Sequence, residues 1–332
     1  MSSKFGLCAI GNAIVDIIAP ATQEFIASQK EFGMQPGGMT LIDAKRAEEL
    51  YNLMAPGTEA SGGSAGNTMA AYASFGGKGA YIGKVADDQL GKVFTHDIRA
   101  IGVHFDTAPL LNSAPTAQCL ILVTDDAQRT MNTFLGASVQ FAPEDVNEEI
   151  IANSDITYLE GYLFDAAPAK AAFYKAAEIV RDNGKKLSLT LSDSFCVNRY
   201  RDDFRKLVAD HVDILFANED EIKALYEVST TEEAIEAVRK DCEITAITCG
   251  ANGSVIVTEK ETIKVAAAKP VRIVDTTGAG DVYAAGFLFG LTEGKSLKEC
   301  GDLGSLAAAE VIDHYGPRPA TSLKDAMLKQ AA

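Results

Sequence analysis

The chain has 332 residues, 47% of them hydrophobic, and a formal net charge of −16. That length suits one large α/β domain or two small ones with a sizeable core, and so acidic a balance argues against nucleic acid and anionic membranes as partners. Six cysteines form no C-x-x-C and four histidines add no metal-ligand spacing, so free thiols in a reducing cytoplasm are expected.

Residues 5–10, Phe-Gly-Leu-Cys-Ala-Ile, read as a buried first strand ending at Gly11-Asn12. Residues 14–19 extend it, with Asp16 in the middle. The run 5–20 is apolar enough to suggest a signal peptide, but Asn12 and Asp16 break its centre, and strand then turn fits better. A carboxylate in that setting is costly unless paired or functional. Helical patterns cover 24–30 and 43–53, with a Gly/Pro/Met segment at 34–39 between them. The helix expected over 64–75 is rich in small residues, which predicts close packing against it. A strand at 80–85 and a helix at 88–101 follow.

From 105 to 135 the pattern is β-like. Runs at 119–124 and 129–134 flank the hairpin-type turn Asp125-Asp126-Ala127-Gln128. Consecutive strands here lack helices between them. We expect a small β lid, built from about 14–42 and 104–135, within a single catalytic domain spanning 1–332. From 153 onward, strands at 156–160, 186–191, 213–217 and 244–249 alternate with helices at 168–183, 200–210, 218–228 and 231–240. That alternation implies βαβ units and a mostly parallel sheet covered on both faces. Its ligands sit beyond the carboxyl ends of the strands, where Gly161, Asn218 and Gly250 fall. A hairpin at 254–257 and 262–265 precedes a β-type run at 271–274. The Ala-rich helix at 297–313 reads as core. No window is long and apolar enough for a membrane span.

The run at 271–274 leads into Asp275-Thr276-Thr277-Gly278-Ala279-Gly280-Asp281, which opens an apolar helical run at 282–291. A turn of small residues at a helix start aims several N–H groups and the positive end of the dipole at one point, a ready anion site. Gly278 and Gly280 leave room for a phosphate. Asp281 would repel that anion unless it takes the proton of an attacking hydroxyl. Taken alone, the turn is more often just a tight connection with a first-turn acid. Tyr283 stands where a dinucleotide loop needs glycine, and no P-loop motif occurs.

The string from Asp275 to Phe287 resembles the C-terminal signature of the ribokinase-like (PfkB) family of sugar and nucleoside kinases. Residues 62–68 (Gly-Gly-Ser-Ala-Gly-Asn-Thr), through Gly76-Gly77-Lys78 to 83–91, resemble its N-terminal signature. The resemblance spans nearly the whole chain. It implies a three-layer αβα fold with a mostly parallel central sheet and a small β lid. It also implies an ATP-dependent phosphotransferase acting on an alcohol group.

The resemblance makes Asp281 the general base and the N–H groups of Gly278, Ala279 and Gly280 the cradle of the transferring phosphoryl group. Asp16 and Asn67 match residues that hold the sugar, and Gly63 and Ser64 let backbone approach it. Asn12, four residues before Asp16, is similar to the adenosine kinase version of that strand, which points to adenosine as acceptor. Asn218 and Glu221 match an N-x-x-E element serving Mg²⁺, directly or through water; without the resemblance, a capped helix start is the simpler reading. Thr248, Gly250 and Gly253 resemble the nucleotide loop. Asp275 and Thr277 match positions that help hold a monovalent cation, K⁺ in many relatives, with Gly316 near the same site. Arg129 either reaches the phosphates or is a solvated edge-strand residue. Tyr162 and Phe164 sit at a strand end suited to facing a base. Thr277 stands where nucleoside kinases often have Asn, so a sugar kinase or an inosine–guanosine kinase stays open. A non-catalytic sensing relative also stays open, as do a monomer and a homodimer paired through the lid.

Overall fold

The computed structural model describes residues 4–126 and 128–330; Ala127, in the expected hairpin turn, lies outside the described residues. Nine strands form one sheet in the order Thr262–Val265, Ser254–Thr258, Ile244–Thr248, Ile214–Asn218, Lys186–Thr190, Ser154–Glu160, Phe5–Ile10, Gly79–Ile82, His104–Phe105. Pairing is parallel from Ile244–Thr248 to His104–Phe105, and antiparallel only at the C-terminal hairpin.

The parallel strands are apolar on both faces because both faces are covered. Leu7 and Ala9 enter one core while Cys8 and Ile10 enter the other; Ile214 and Phe216 likewise oppose Leu215 and Ala217. Helices Ser64–Ser74, Ala279–Thr292 and Leu297–Ile312 supply the first core, and Ala167–Asp182, Arg201–His211 and Glu219–Tyr226 the second. The result is the three-layer αβα architecture. Glycines set the spacing of the first layer: a Cβ at Gly286 would lie 2.5 Å from the Leu303 carbonyl oxygen.

A second sheet has five strands, in the order Met39–Leu41, Arg129–Phe134, Ala117–Val123, Ile14–Pro20, Thr58–Gly62. Three expectations change here. Ile14–Pro20 does not extend the first strand; it leaves the large sheet and pairs with Ala117–Val123 and Thr58–Gly62. Thr58–Gly62 is an additional strand whose polar sequence gives no β signal. His104–Phe105 pairs with Gly79–Ile82 in the large sheet, so the part of the second sheet expected from residue 104 onward starts only at Ala117–Val123. The β-type run at 271–274 forms no strand, and Val271 and Ile273 are exposed. No described helix is long and apolar enough to cross a membrane.

Candidate functional site

Two helices start beside each other at the carboxyl edge of the large sheet. Ser64–Ser74 follows Gly63 at φ 81°, and Ala279–Thr292 follows Gly278 at φ 77°. Both positions require glycine. A Cβ at 63 would stand 2.4 Å from the Asn12 carbonyl oxygen, and one at 278 would stand 2.5 Å from Pro317 Cβ. Gly280 differs, because among the described residues nothing beyond its chain neighbours and its own helix backbone lies within 4 Å of its would-be Cβ. The Ala279 N–H is taken by the Thr276 carbonyl at 3.2 Å. The later first-turn N–H groups, at Gly280 and Asp281, have no carbonyl within the helix to bind. The turn therefore opens donors onto free space.

Asp281 faces the neighbouring helix. Its Oδ1 accepts from Ser64 Oγ at 2.6 Å and its Oδ2 from Asn67 Nδ2 at 3.1 Å. Burial pushes its carboxyl up to about 6, against the pull of those two bonds. Asp16 comes from the second sheet and is buried. Its carboxylate lies over Gly62, where a Cβ would meet it at 2.3 Å. Burial pushes Asp16 up to about 6; Arg318 and Arg129 pull it down, and Asp281 pushes it up. Asp16, Asn67, Ser64 and Asp281 thus gather at one place from three parts of the chain.

Arg129, on Arg129–Phe134, is buried, which removes the solvated edge-strand reading. Its Nε stands 3.0 Å from Asp275 Oδ2, and its Nη1 is buried without a hydrogen-bond partner among the described residues. Asp275 Oδ2 also accepts from the Gly316 N–H at 3.1 Å, and Oδ1 from the Thr277 N–H at 2.9 Å. Burial raises the Asp275 carboxyl, but the hydrogen bonds from Thr277 and Gly316 and the Arg129 charge outweigh it and hold it below the usual range. A guanidinium and two N–H groups thus already hold the carboxylate that was expected to help hold a monovalent cation.

Asn218 and Glu221 form a closed capping box. Asn218 Oδ1 accepts from the Asp220 and Glu221 N–H groups, each at 2.9 Å, while Glu221 takes the Asn218 N–H at 2.9 Å and Nδ2 at 2.7 Å. Burial pushes Glu221 up to about 7; the Asn218 N–H lowers it, and Asp193 and Asp281 raise it. Among the described residues, no cluster of three or more His, Cys, Asp or Glu stands ready to bind a metal directly. Facing carboxylates fit Mg²⁺ through its water shell rather than by direct ligation. Thr248 lies opposite Asn218 in parallel register. Gly250, at φ 55°, opens onto free space, whereas Gly253 is tied into the hairpin, with Val265 oxygen 2.0 Å from its would-be Cβ.

Phe164 is a correction. It is fully buried, with its ring centroid 4.5 Å from that of Phe204 and packed also on Phe173, and so cannot face a ligand. Tyr162 is the half-exposed aromatic of that segment, and Asp193, Asp281, Glu221 and Glu160 lie in its electrostatic surroundings. Asn12 is buried and donates through Nδ2 to Glu160 Oε1 at 2.7 Å, while its own Oδ1 has no partner among the described residues. Glu160 Oε2 accepts the Ala65 N–H at 2.9 Å at the start of the Ser64 helix. Burial pushes Glu160 up to about 7, against these hydrogen bonds. No motif singles out Glu160, Asp193 or Arg318; only the acid closing an apolar strand beside Gly161 offers a signal, for Glu160.

This fold, with an acid set against the open first turn of a helix, defines a phosphotransferase of the ribokinase-like class that acts on hydroxyl groups. The chain belongs to the pfkB family of carbohydrate kinases, whose profile matches residues 39–324. It is similar to the crystal structure of adenosine kinase from Sinorhizobium meliloti, with 53% identity, TM-score 0.91, and coverage of 99% of this chain and 100% of that one. A probable sugar kinase from Rhizobium etli matches at 49% identity and TM-score 0.92, covering 99% of each chain. Adenosine kinase of Saccharomyces cerevisiae is 29% identical over 94% of this chain and 96% of its own length.

Proposed function

We propose that this chain transfers the γ-phosphoryl group of ATP to the 5′-hydroxyl of adenosine, giving AMP and ADP. The observation that carries the reading is Asp281: a half-buried carboxylate that accepts a hydroxyl hydrogen bond at 2.6 Å beside the open turn at Gly280. The extent of likeness to the S. meliloti adenosine kinase supports adenosine as acceptor.

In this reading Asp16 accepts hydrogen bonds from the ribose hydroxyls, and Asn67 holds the acceptor beside Asp281. The 5′-oxygen attacks the γ-phosphorus as its bond to the β,γ-bridging oxygen breaks, and Asp281 receives the proton. The transition state is loose, so the proton leaves late and a weak base suffices. First-turn N–H groups near Gly280 and the Arg129 guanidinium offset charge on the transferring group. Mg²⁺, when bound, neutralises phosphate charge, and Asn218 and Glu221 would hold it through water. The second sheet carries Asp16 and Arg129, and its closure over the acceptor would exclude water that otherwise hydrolyses ATP.

The likeness to a probable sugar kinase favours one second reading, a sugar as acceptor. ATP consumption measured against adenosine, inosine, guanosine, ribose and fructose separates the two. Adenosine is expected to give a kcat/KM at least about tenfold above the others, a difference of about 1.4 kcal/mol in transition-state binding. A wide margin for ribose or fructose would replace the acceptor and keep the reaction.

A further inference from the structure

Segment 316–318 is fastened to the site at three successive residues. The Gly316 N–H binds Asp275, Pro317 packs on Gly278, and Arg318 crosses to the acceptor side. Arg318 Nε donates to Asn67 Oδ1 at 3.3 Å, and Nη1 donates to Ser61 Oγ at 2.7 Å and lies 3.5 Å from Asp97 Oδ2. Its Nη2 is buried with no partner among the described residues.

These contacts do two things. With Oδ1 of Asn67 taken by a guanidinium, its Nδ2 is the end that faces Asp281. The flipped amide would set NH₂ against a cation and C=O against a carboxylate, both unfavourable. The second effect is charge. Asp16 has Arg318 and Arg129 as its facing cations and Asp281 as a facing anion. Cys119, its partner on the neighbouring strand, adds no charge at neutral pH, because burial pushes the thiol up to about 12. Around Arg318 itself stand Asp16, Asp97 and Tyr81.

We propose that Arg318 is a positioning residue for the acceptor: it locks the Asn67 amide toward Asp281 and seats its guanidinium on Ser61, next to Gly62, over which the Asp16 carboxylate lies. This rests on Asp16 and Asn67 as acceptor-binding residues. It does not depend on which acceptor is used, so the test is run with the alcohol that the wild-type enzyme phosphorylates best. A sugar in that place sinks the adenosine reading and leaves Arg318 still on trial.

The experiment compares wild type, Arg318→Met and Arg318→Lys by steady-state kinetics between about pH 5.5 and 9. Arg318→Met is expected to raise the acceptor KM about tenfold or more while the ATP KM stays within about twofold. Its acid limb of acceptor kcat/KM should move up by about one pH unit, as loss of a facing cation requires. Arg318→Lys keeps the charge but not the two-pronged grip, so it should restore the acid limb without restoring the acceptor KM. Equal changes in both KM values, or an unmoved acid limb in Arg318→Met, would reduce Arg318 to a structural pin. If the methionine variant does not fold, the lysine variant decides: acceptor kcat/KM within about twofold of wild type overturns the proposal.

Discussion

The hydroxyl of Ser64 lies 2.6 Å from Asp281 Oδ1, although 217 positions separate the two residues. The carboxylate already holds the kind of partner that the reaction asks of a substrate alcohol. Asp281→Asn keeps the shape and removes the basic oxygen. Turnover is expected to fall about a hundredfold or more, since that is what loss of a general base removes. Nucleotide affinity, measured by titration calorimetry, should stay within about threefold. A variant that keeps more than about a tenth of the wild-type rate would take Asp281 out of the chemistry.

Activity should carry an acid limb set by the same group. Asp281 and Asp16 are each pushed up to about 6 by burial, and both act as carboxylates. Acceptor kcat/KM should therefore fall below about pH 6, more steeply than one proton allows. A profile flat down to pH 5 would contradict the burial of both acids.

For folding, the same shift works in the other direction. The Asp281 carboxyl is raised from 3.8 to about 6, so the native state holds its proton more tightly than the unfolded chain does. The stabilisation from that proton is full below pH 3.8 and is lost as pH rises through 6. Asp281→Asn should thus unfold less readily than wild type at pH 8, by about 1–3 kcal/mol, with the gain gone near pH 4. Urea denaturation at the two pH values measures it.

Arg129 and Asp275 tie the second sheet to the catalytic turn through a buried ion pair. Replacing Arg129 with Met leaves a buried carboxylate held by Thr277 and Gly316 without its facing cation. The loss should be about 3 kcal/mol, in the range for breaking one side of a buried pair. Adding Asp275→Asn should recover part of it. A double-mutant cycle with no coupling would show that the pair does not join the sheets energetically.

Glu160 offers a test by amide geometry. Asn12 Oδ1 is unpaired, so Asn12 can flip to receive the NH₂ of a glutamine at 160. Glu160→Gln should then fold about as well as wild type. Glu160→Ala strands Asn12 Nδ2 and the Ala65 N–H and should lose about 2–4 kcal/mol, given the penalty for buried unpaired donors. Equal melting temperatures for the two variants would refute the network.

Strand–helix alternation after residue 153 was legible because each strand is buried on both faces and reads as an apolar run. The Asp275–Asp281 turn was legible because its glycines and acid are local and contiguous. What escaped depends on partners far along the chain. Residues 14–19 look like a continuation of 5–10, yet strands of another sheet claim them. Val271 and Ile273 have β-branched side chains but no neighbouring strand, so propensity alone forms nothing there. Phe164 and Tyr162 are two residues apart, and only packing against Phe173 and Phe204 decides which one is interior. Glu160 and Arg318 carry no motif because their meaning lies in contacts with Asn12, Ala65, Ser61 and Asn67.

The fastening of Gly316, Pro317 and Arg318 onto the two signatures has a consequence for biosynthesis. A nascent polypeptide halted on the ribosome before residue 316 would display every acid and glycine of the reaction. It would still lack the clasp that draws Asn67 and the Gly278 turn together. The two signatures would then be joined only once residues 316–318 are in place.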